Sequence, residues 1–197
     1  MNDLFHQPRS TTQAADGIPR LRWTLAEFDR LTELGVFNEH DRIELLDGEL
    51  IPMSPKGRRH EAVRGAILNW LRRAVPAEYD LHAGPGWRPG EADYVEPDFL
   101  ICRAGCDPTS VDPSDIVLII EVAHSSLKLD TTVKAGTYAR HGVSEYWVVD
   151  AATLATRVYQ QPSATGYVAW RDVAATEDLS LAGLPSVKGR LSDLPLA

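Results

Sequence analysis

The chain has 197 residues, 44% hydrophobic and 24% charged, the composition of a globular protein with one sizeable core. Its 20 basic and 28 acidic side chains leave a net charge of −8, which argues against nucleic-acid binding through bulk positive charge. Residues 1–20 lack the apolar stretch of a signal peptide and no segment approaches the roughly 18 apolar residues of a membrane span, so a cytoplasmic location without membrane attachment is expected.

Residues 1–20 are polar and mixed and read as a mobile tail, leaving residues 21–197 as a single domain. Thr24 and Glu27 have the spacing of a capping box, which predicts a helix from there to a glycine stop at Gly35. Two short apolar runs, residues 42–46 and 49–53, flank Asp47-Gly48, a hairpin signal. Glu44 shares a strand face with Leu46 and is the third carboxylate of interest, although an exposed edge-strand glutamate is the commoner finding.

From Arg58 to Val75 the apolar residues Ala62, Val63, Ala66, Ile67, Trp70, Leu71 and Ala74 recur at helical spacing. Arg58, Arg59, Arg64, Arg72 and Arg73 are assigned to the solvated side of that helix. Strands are predicted at 79–83, 94–102 and 116–122, joined by Gly/Pro-rich and Asp/Pro-rich loops, with Pro97 marking a local irregularity beside Asp98. A second helix over 129–141 stops at Gly142, followed by a strand at 145–150, a hairpin of 156–160 with 167–172 around Gly166, and a surface-running tail over 185–197. The fold class is α/β, a mixed sheet with flanking helices in the core order αβββαβ, preceded by an N-terminal helix and hairpin.

Two carboxylates stand out in this pattern. Asp98 and Glu121 fall in segments that read as buried strands, where an uncompensated carboxylate costs several kcal/mol. Placed on one face, they can share one Mg²⁺ or Mn²⁺, hard cations that take oxygen ligands and keep several waters. Such an ion activates water and neutralises phosphate charge. A basic group is then needed, and the strand position two residues beyond Glu121 is Ala123. Lys134 is the candidate from the next helix, although by spacing alone a surface pair with Asp130 is the favoured reading. Carboxylates held close for function repel one another in the metal-free protein, so removing Asp98 or Glu121 is expected to raise thermal stability if they serve such a site and to lower it if they are purely structural.

Other candidates have simpler readings. His124 makes a Glu-x-x-His spacing with Glu121, but a strand points the two side chains to opposite faces, against a zinc site. Cys102 and Cys106 are too few for a four-ligand zinc site and read as reduced thiols. Tyr138, Tyr146 and Trp147 read as core, and Trp87, in Gly-Pro-Gly-Trp, as the exposed aromatic. The chain has no P-loop and no Rossmann glycine fingerprint.

The residues Glu44-Leu45-Leu46-Asp47-Gly48-Glu49-Leu50, Met53-Ser54-Pro55, His60, Pro97-Asp98 and the block from Glu121 to Asp150 together resemble the Uma-two family of the PD-(D/E)XK nuclease superfamily. Within the block, Glu121-Val122, Ser125-Ser126-Leu127, Asp130, Lys134, Tyr138, Gly142-Val143, Glu145-Tyr146-Trp147 and Asp150 follow the family pattern; His124 stands where similar members usually have Ser or Asp.

The resemblance implies a restriction-endonuclease-like fold and metal-dependent cleavage of DNA phosphodiester bonds. It further implies that Asp98 and Glu121 bind the metal, that Lys134 replaces the missing strand lysine, and that Glu44 and His60 are additional site residues. Cleavage of both strands of a duplex calls for two active sites, so a homodimer is expected. A non-catalytic homodimeric interaction module on the same fold, or a hydrolase of another phosphate ester, are the alternative functions.

Overall fold

The computed structural model describes residues 11–13, 19–37 and 41–196, which form two compact units. The first comprises Met1–Met53 with Gly90–Tyr94, and the second Ser54–Pro89 with Val95–Ala197.

In the first unit, strands β1 (Thr11–Gln13) and β2 (Pro19–Leu21) pair antiparallel, so part of the expected N-terminal tail is ordered backbone; residues 1–10 and 14–18 lie outside the described residues. Helix α1 (Leu25–Glu33) opens on the expected capping box, with the Glu27 N–H donating to Thr24 Oγ1 at 3.2 Å and the Thr24 N–H to Glu27 Oε2 at 3.0 Å. It closes at Gly35, whose φ of 70° an L side chain would resist. Strands β3 (Ile43–Leu46) and β4 (Glu49–Pro52) form the expected hairpin, with Asp47 at φ 51° and Gly48 at φ 80° supplying the two left-handed residues of its turn. On its other side β3 pairs Leu45 with Tyr94, so β3 is an inner strand. Glu44 is therefore buried, at 1% exposure, and the edge-strand reading of it fails.

The second unit contains helix α2 (Arg58–Ala74), β5 (Tyr79–Ala83), β8 (Phe99–Arg103) and β9 (Ile116–Ala123); between β5 and β8 the chain runs through β6 (Trp87–Gly90) and β7 (Asp93–Val95), of which Gly90 and Asp93–Tyr94 belong to the first unit. The strand expected at 94–102 is split into β7 and β8, which belong to different sheets, with Pro97, which has no N–H to give a ladder, between them. A broken helix follows β9: α3 (Leu127–Leu129), a π turn at Asp130–Lys134, and α4 (Ala135–Arg140). Strands β10 (Glu145–Asp150), β11 (Thr156–Ser163), β12 (Gly166–Val173), β13 (Leu179–Leu181) and β14 (Leu184–Gly189) complete it. The expected surface tail is thus partly a hairpin, with Val187 and Leu191 buried in the core.

Six strands form one sheet in the order β12-β11-β10-β9-β8-β5, in which β9 and β10 are parallel and the other pairs antiparallel. The period of two divides the central strands between two helical layers. Leu118, Ile120 and Val122 of β9 join Phe99 and Ile101 of β8 in the core beneath Val63, Ile67, Trp70 and Leu71 of α2. Trp147 stacks on Trp70 at 6.5 Å, whereas its neighbour Tyr146 faces the other way, 4.8 Å from Tyr138 of α4. Glu121 lies between Ile120 and Val122 and so belongs to the α4 face.

Trp87, expected to be exposed, has no exposed surface: its indole N–H donates to the Val111 carbonyl at 3.0 Å and its ring stacks 6.2 Å from Tyr138. A Gly-Pro-Gly approach predicts the turn before it but says nothing of where the ring goes.

Candidate active site

Antiparallel pairing of β8 with β9 matches Phe99 to Ile120, so Asp98, one residue before β8, comes opposite Glu121 near the end of β9. The Asp98 N–H donates to Glu121 Oε2 at 3.3 Å. Two carboxylates that are 23 positions apart in sequence are thereby set side by side, both almost fully buried.

Each has its own basic partners. Asp98 Oδ1 accepts from Lys56 Nζ at 2.8 Å and lies 3.2 Å from Arg64 Nε; Asp98 Oδ2 is 3.1 Å from His60 Nε2 and accepts the Val122 N–H at 3.0 Å. Glu121 Oε1 accepts from Lys134 Nζ and from the Tyr138 hydroxyl, both at 2.9 Å. Lys134 is 3% exposed and its ammonium also lies 4.0 Å from Asp130 Oδ1, so the surface pair allowed by spacing is a buried triad of Asp130, Lys134 and Glu121.

The π turn sets this geometry. It widens one helical turn immediately before α4 and puts Lys134 and Tyr138, four residues apart, over the same carboxylate oxygen. Its backbone is held from the sheet, where the Tyr146 hydroxyl donates to the Asp130 carbonyl at 3.0 Å and the Tyr159 hydroxyl to that of Thr131 at 2.8 Å. The Ser126 hydroxyl fixes Asp130 Oδ2 at 2.6 Å. No periodicity in the sequence distinguishes this stretch from a regular α-helix.

Of the sequence candidates, the structure brings Asp98, Glu121, Lys134 and His60 together, while Glu44 belongs to the first unit. Lys56 and Arg64 were missed: Lys56 sits in a loop, and Arg64 falls among arginines assigned to solvent yet points inward, 5.6 Å above the Phe99 ring. Tyr138 was read as core, and it is, but its hydroxyl also serves Glu121. His124, just after β9, is exposed. Burial pushes the Cys102 thiol up to about 12, keeping it protonated.

Burial pushes the Asp98 carboxyl upward, but the hydrogen bond from His60 and the charge of Lys56 outweigh it and hold the group well below the usual carboxylate range. A carboxyl depressed on folding contributes stability above its unfolded value, near 3.8, and loses it as pH falls through the folded value. Between about pH 5 and pH 2.5 the parent should lose about 1–2 kcal/mol more than Asp98→Asn, read from urea midpoints at each pH. Equal losses would show that the pairing contributes nothing.

The donor set suits a hard divalent cation. Among the described residues no group of three or more His, Cys, Asp and Glu side chains gathers to hold an ion. Two adjacent carboxylates completed by water are nonetheless the usual provision for Mg²⁺, which keeps much of its hydration.

A mixed sheet with α2 on one face, the broken helix on the other and two acids at neighbouring strand ends is a restriction-endonuclease-like α/β fold. A solved structure described as "a putative nuclease belonging to DUF820", from Anabaena variabilis, is similar to this chain with a TM-score of 0.67 and 16% identity, over 86% of this chain and 96% of that one. The family model Uma2, "Putative restriction endonuclease", matches residues 25–196, and the chain belongs to that family. No curated protein matches it.

Proposed function

We propose that the protein is a metal-dependent endonuclease that hydrolyses DNA phosphodiester bonds, with Asp98 and Glu121 holding one Mg²⁺ or Mn²⁺. Convergence of these two buried carboxylates at the ends of β8 and β9, with the Lys134 ammonium 2.9 Å from Glu121, carries this function. When bound, the ion would supply Lewis-acid polarisation of the phosphoryl group and a more acidic water.

The protein groups supply orientation and charge. Lys134 approaches from the helix because the strand offers only Ala123, fully buried, where a lysine would share the face of Glu121. An ammonium donates three hydrogen bonds and accepts none, so Lys134 orients the attacking water and offsets negative charge, and does not itself take up the water's proton. Tyr138 fixes Glu121 from the same side. His60 and the Val122 N–H fix Asp98 Oδ2, leaving the two acids with a set spacing before substrate arrives. Two such sites in a homodimer would serve the two strands of a duplex.

Incubation with supercoiled, linear and single-stranded DNA at low salt, with Mg²⁺ or Mn²⁺ or with a chelator, tests the substrate class. Metal-dependent nicking of DNA is expected. Hydrolysis of RNA or of a nucleotide phosphate ester, with DNA left intact, would overturn DNA as the substrate. Among the described residues no helix is long and apolar enough to cross a membrane.

A further inference from the structure

Asp98 is crowded with positive charge. Four groups face its two oxygens: the Val122 N–H and His60 on Oδ2, Lys56 hydrogen-bonded to Oδ1, and Arg64, whose Nε lies 3.2 Å from Oδ1 as a charge contact without hydrogen-bond geometry. Lys56 holds Oδ1 through its hydrogen bond, so a cation that takes this oxygen competes with the ammonium already on it.

The four differ in how readily they can leave. Val122 is part of β9, whose ladder fixes its N–H. His60 and Arg64 are on α2, and the Arg64 guanidinium is further held above the Phe99 ring. Lys56 alone comes from the irregular segment between β4 and α2, its side chain 23% exposed on a four-carbon stem that can swing to water. It also makes the shortest of the four contacts, at 2.8 Å.

We propose that Lys56 is a displaceable counter-ion that stands in for the metal on Asp98 Oδ1, so that metal binding requires its release and Lys56 sets the protein's affinity for divalent cations. This rests on Asp98 being a metal ligand. In the state described here the ammonium keeps the carboxylate paired; when a divalent ion takes Oδ1, like-charge repulsion moves the ammonium off it and toward water. The released Lys56 then contacts a substrate phosphate as a point charge. Observed metal affinity equals intrinsic affinity scaled by the fraction of molecules in which Lys56 is off Asp98.

Calorimetric titration of Mn²⁺ into the full chain tests this, comparing the parent with Lys56→Gln, Lys56→Arg and Asp98→Asn, each checked for folding by circular dichroism. Lys56→Gln should bind Mn²⁺ about tenfold more tightly than the parent, with Lys56→Arg close to the parent and Asp98→Asn without binding. With saturating Mn²⁺, Lys56→Gln should bind duplex DNA several-fold more weakly, whereas a merely structural loss would weaken both affinities. Equal or weaker Mn²⁺ binding by Lys56→Gln, while Asp98→Asn still abolishes it, would overturn the role of Lys56 and leave the metal site standing. Absence of Mn²⁺ binding in the parent and Lys56→Gln alike would overturn the metal site and this inference together.

Discussion

Lys134→Met should lower DNA cleavage by about three orders of magnitude and destabilise the protein by about 3–5 kcal/mol. Both effects come from one contact. The ammonium is buried, 2.9 Å from Glu121 Oε1 and 4.0 Å from Asp130 Oδ1, so methionine leaves two carboxylates deprived of their shared cation. A buried charge stripped of its partner is far costlier than a pair replaced as a whole. Adding Glu121→Gln to Lys134→Met should therefore recover most of the lost stability, because a neutral amide still meets the Tyr138 hydroxyl, while cleavage stays lost. Chemical denaturation of the two single variants and the double variant gives the coupling energy directly. Additive losses would mean that Lys134 and Glu121 do not act as a pair.

Asp98→Ala should abolish cleavage and lower the melting temperature by roughly 6–12 °C, equivalent to about 3 kcal/mol for a chain of this size. Its sign is opposite to the gain expected from two mutually repelling carboxylates. The structure explains the reversal: Asp98 is compensated by Lys56, His60 and Arg64, and Glu121 by Lys134, so neither acid is held against uncompensated repulsion. Alanine removes the acceptor of the buried Val122 N–H and the carboxylate on His60 Nε2, whose Nδ1 keeps Glu61 Oε1 at 3.1 Å, while Lys56, about a quarter exposed, can turn to water. A rise in melting temperature, read by differential scanning calorimetry in metal-free buffer, would restore the repulsion account.

Much of this was legible in the chain because it is written in local chemistry. Thr24 and Glu27 specify a cap, Asp47-Gly48 a turn needing two left-handed residues, and the stripe from Ala62 to Ala74 a helix face. Asp98 and Glu121 stand out since a strand that otherwise carries Ile, Leu and Val has no packing use for a carboxylate. What remained hidden depends on tertiary placement. Whether Arg64 turns inward is decided by the position of Asp98 and the Phe99 ring, neither of which is near it in sequence. Lys56 sits between elements and belongs to no periodic pattern. The π turn at Asp130–Lys134 exists because Tyr146 and Tyr159 hold its carbonyls from distant strands, and helical spacing alone made Asp130 and Lys134 look like a solvated pair. Trp87 has no helical or strand pattern to assign it a face, yet its ring lies against Tyr138, next to the candidate site.

Nicking of supercoiled DNA by chelator-treated protein on addition of Mg²⁺, with the parent and Asp98→Asn side by side, tests the metal-dependent nuclease most directly. Nicking that appears with Mg²⁺ in the parent and is lost in Asp98→Asn is the predicted result. No nicking by the parent with Mg²⁺ or Mn²⁺, or equal nicking by the two proteins, would contradict it; with metal binding also absent, the acids of β8 and β9 would be those of an interaction module on a nuclease fold.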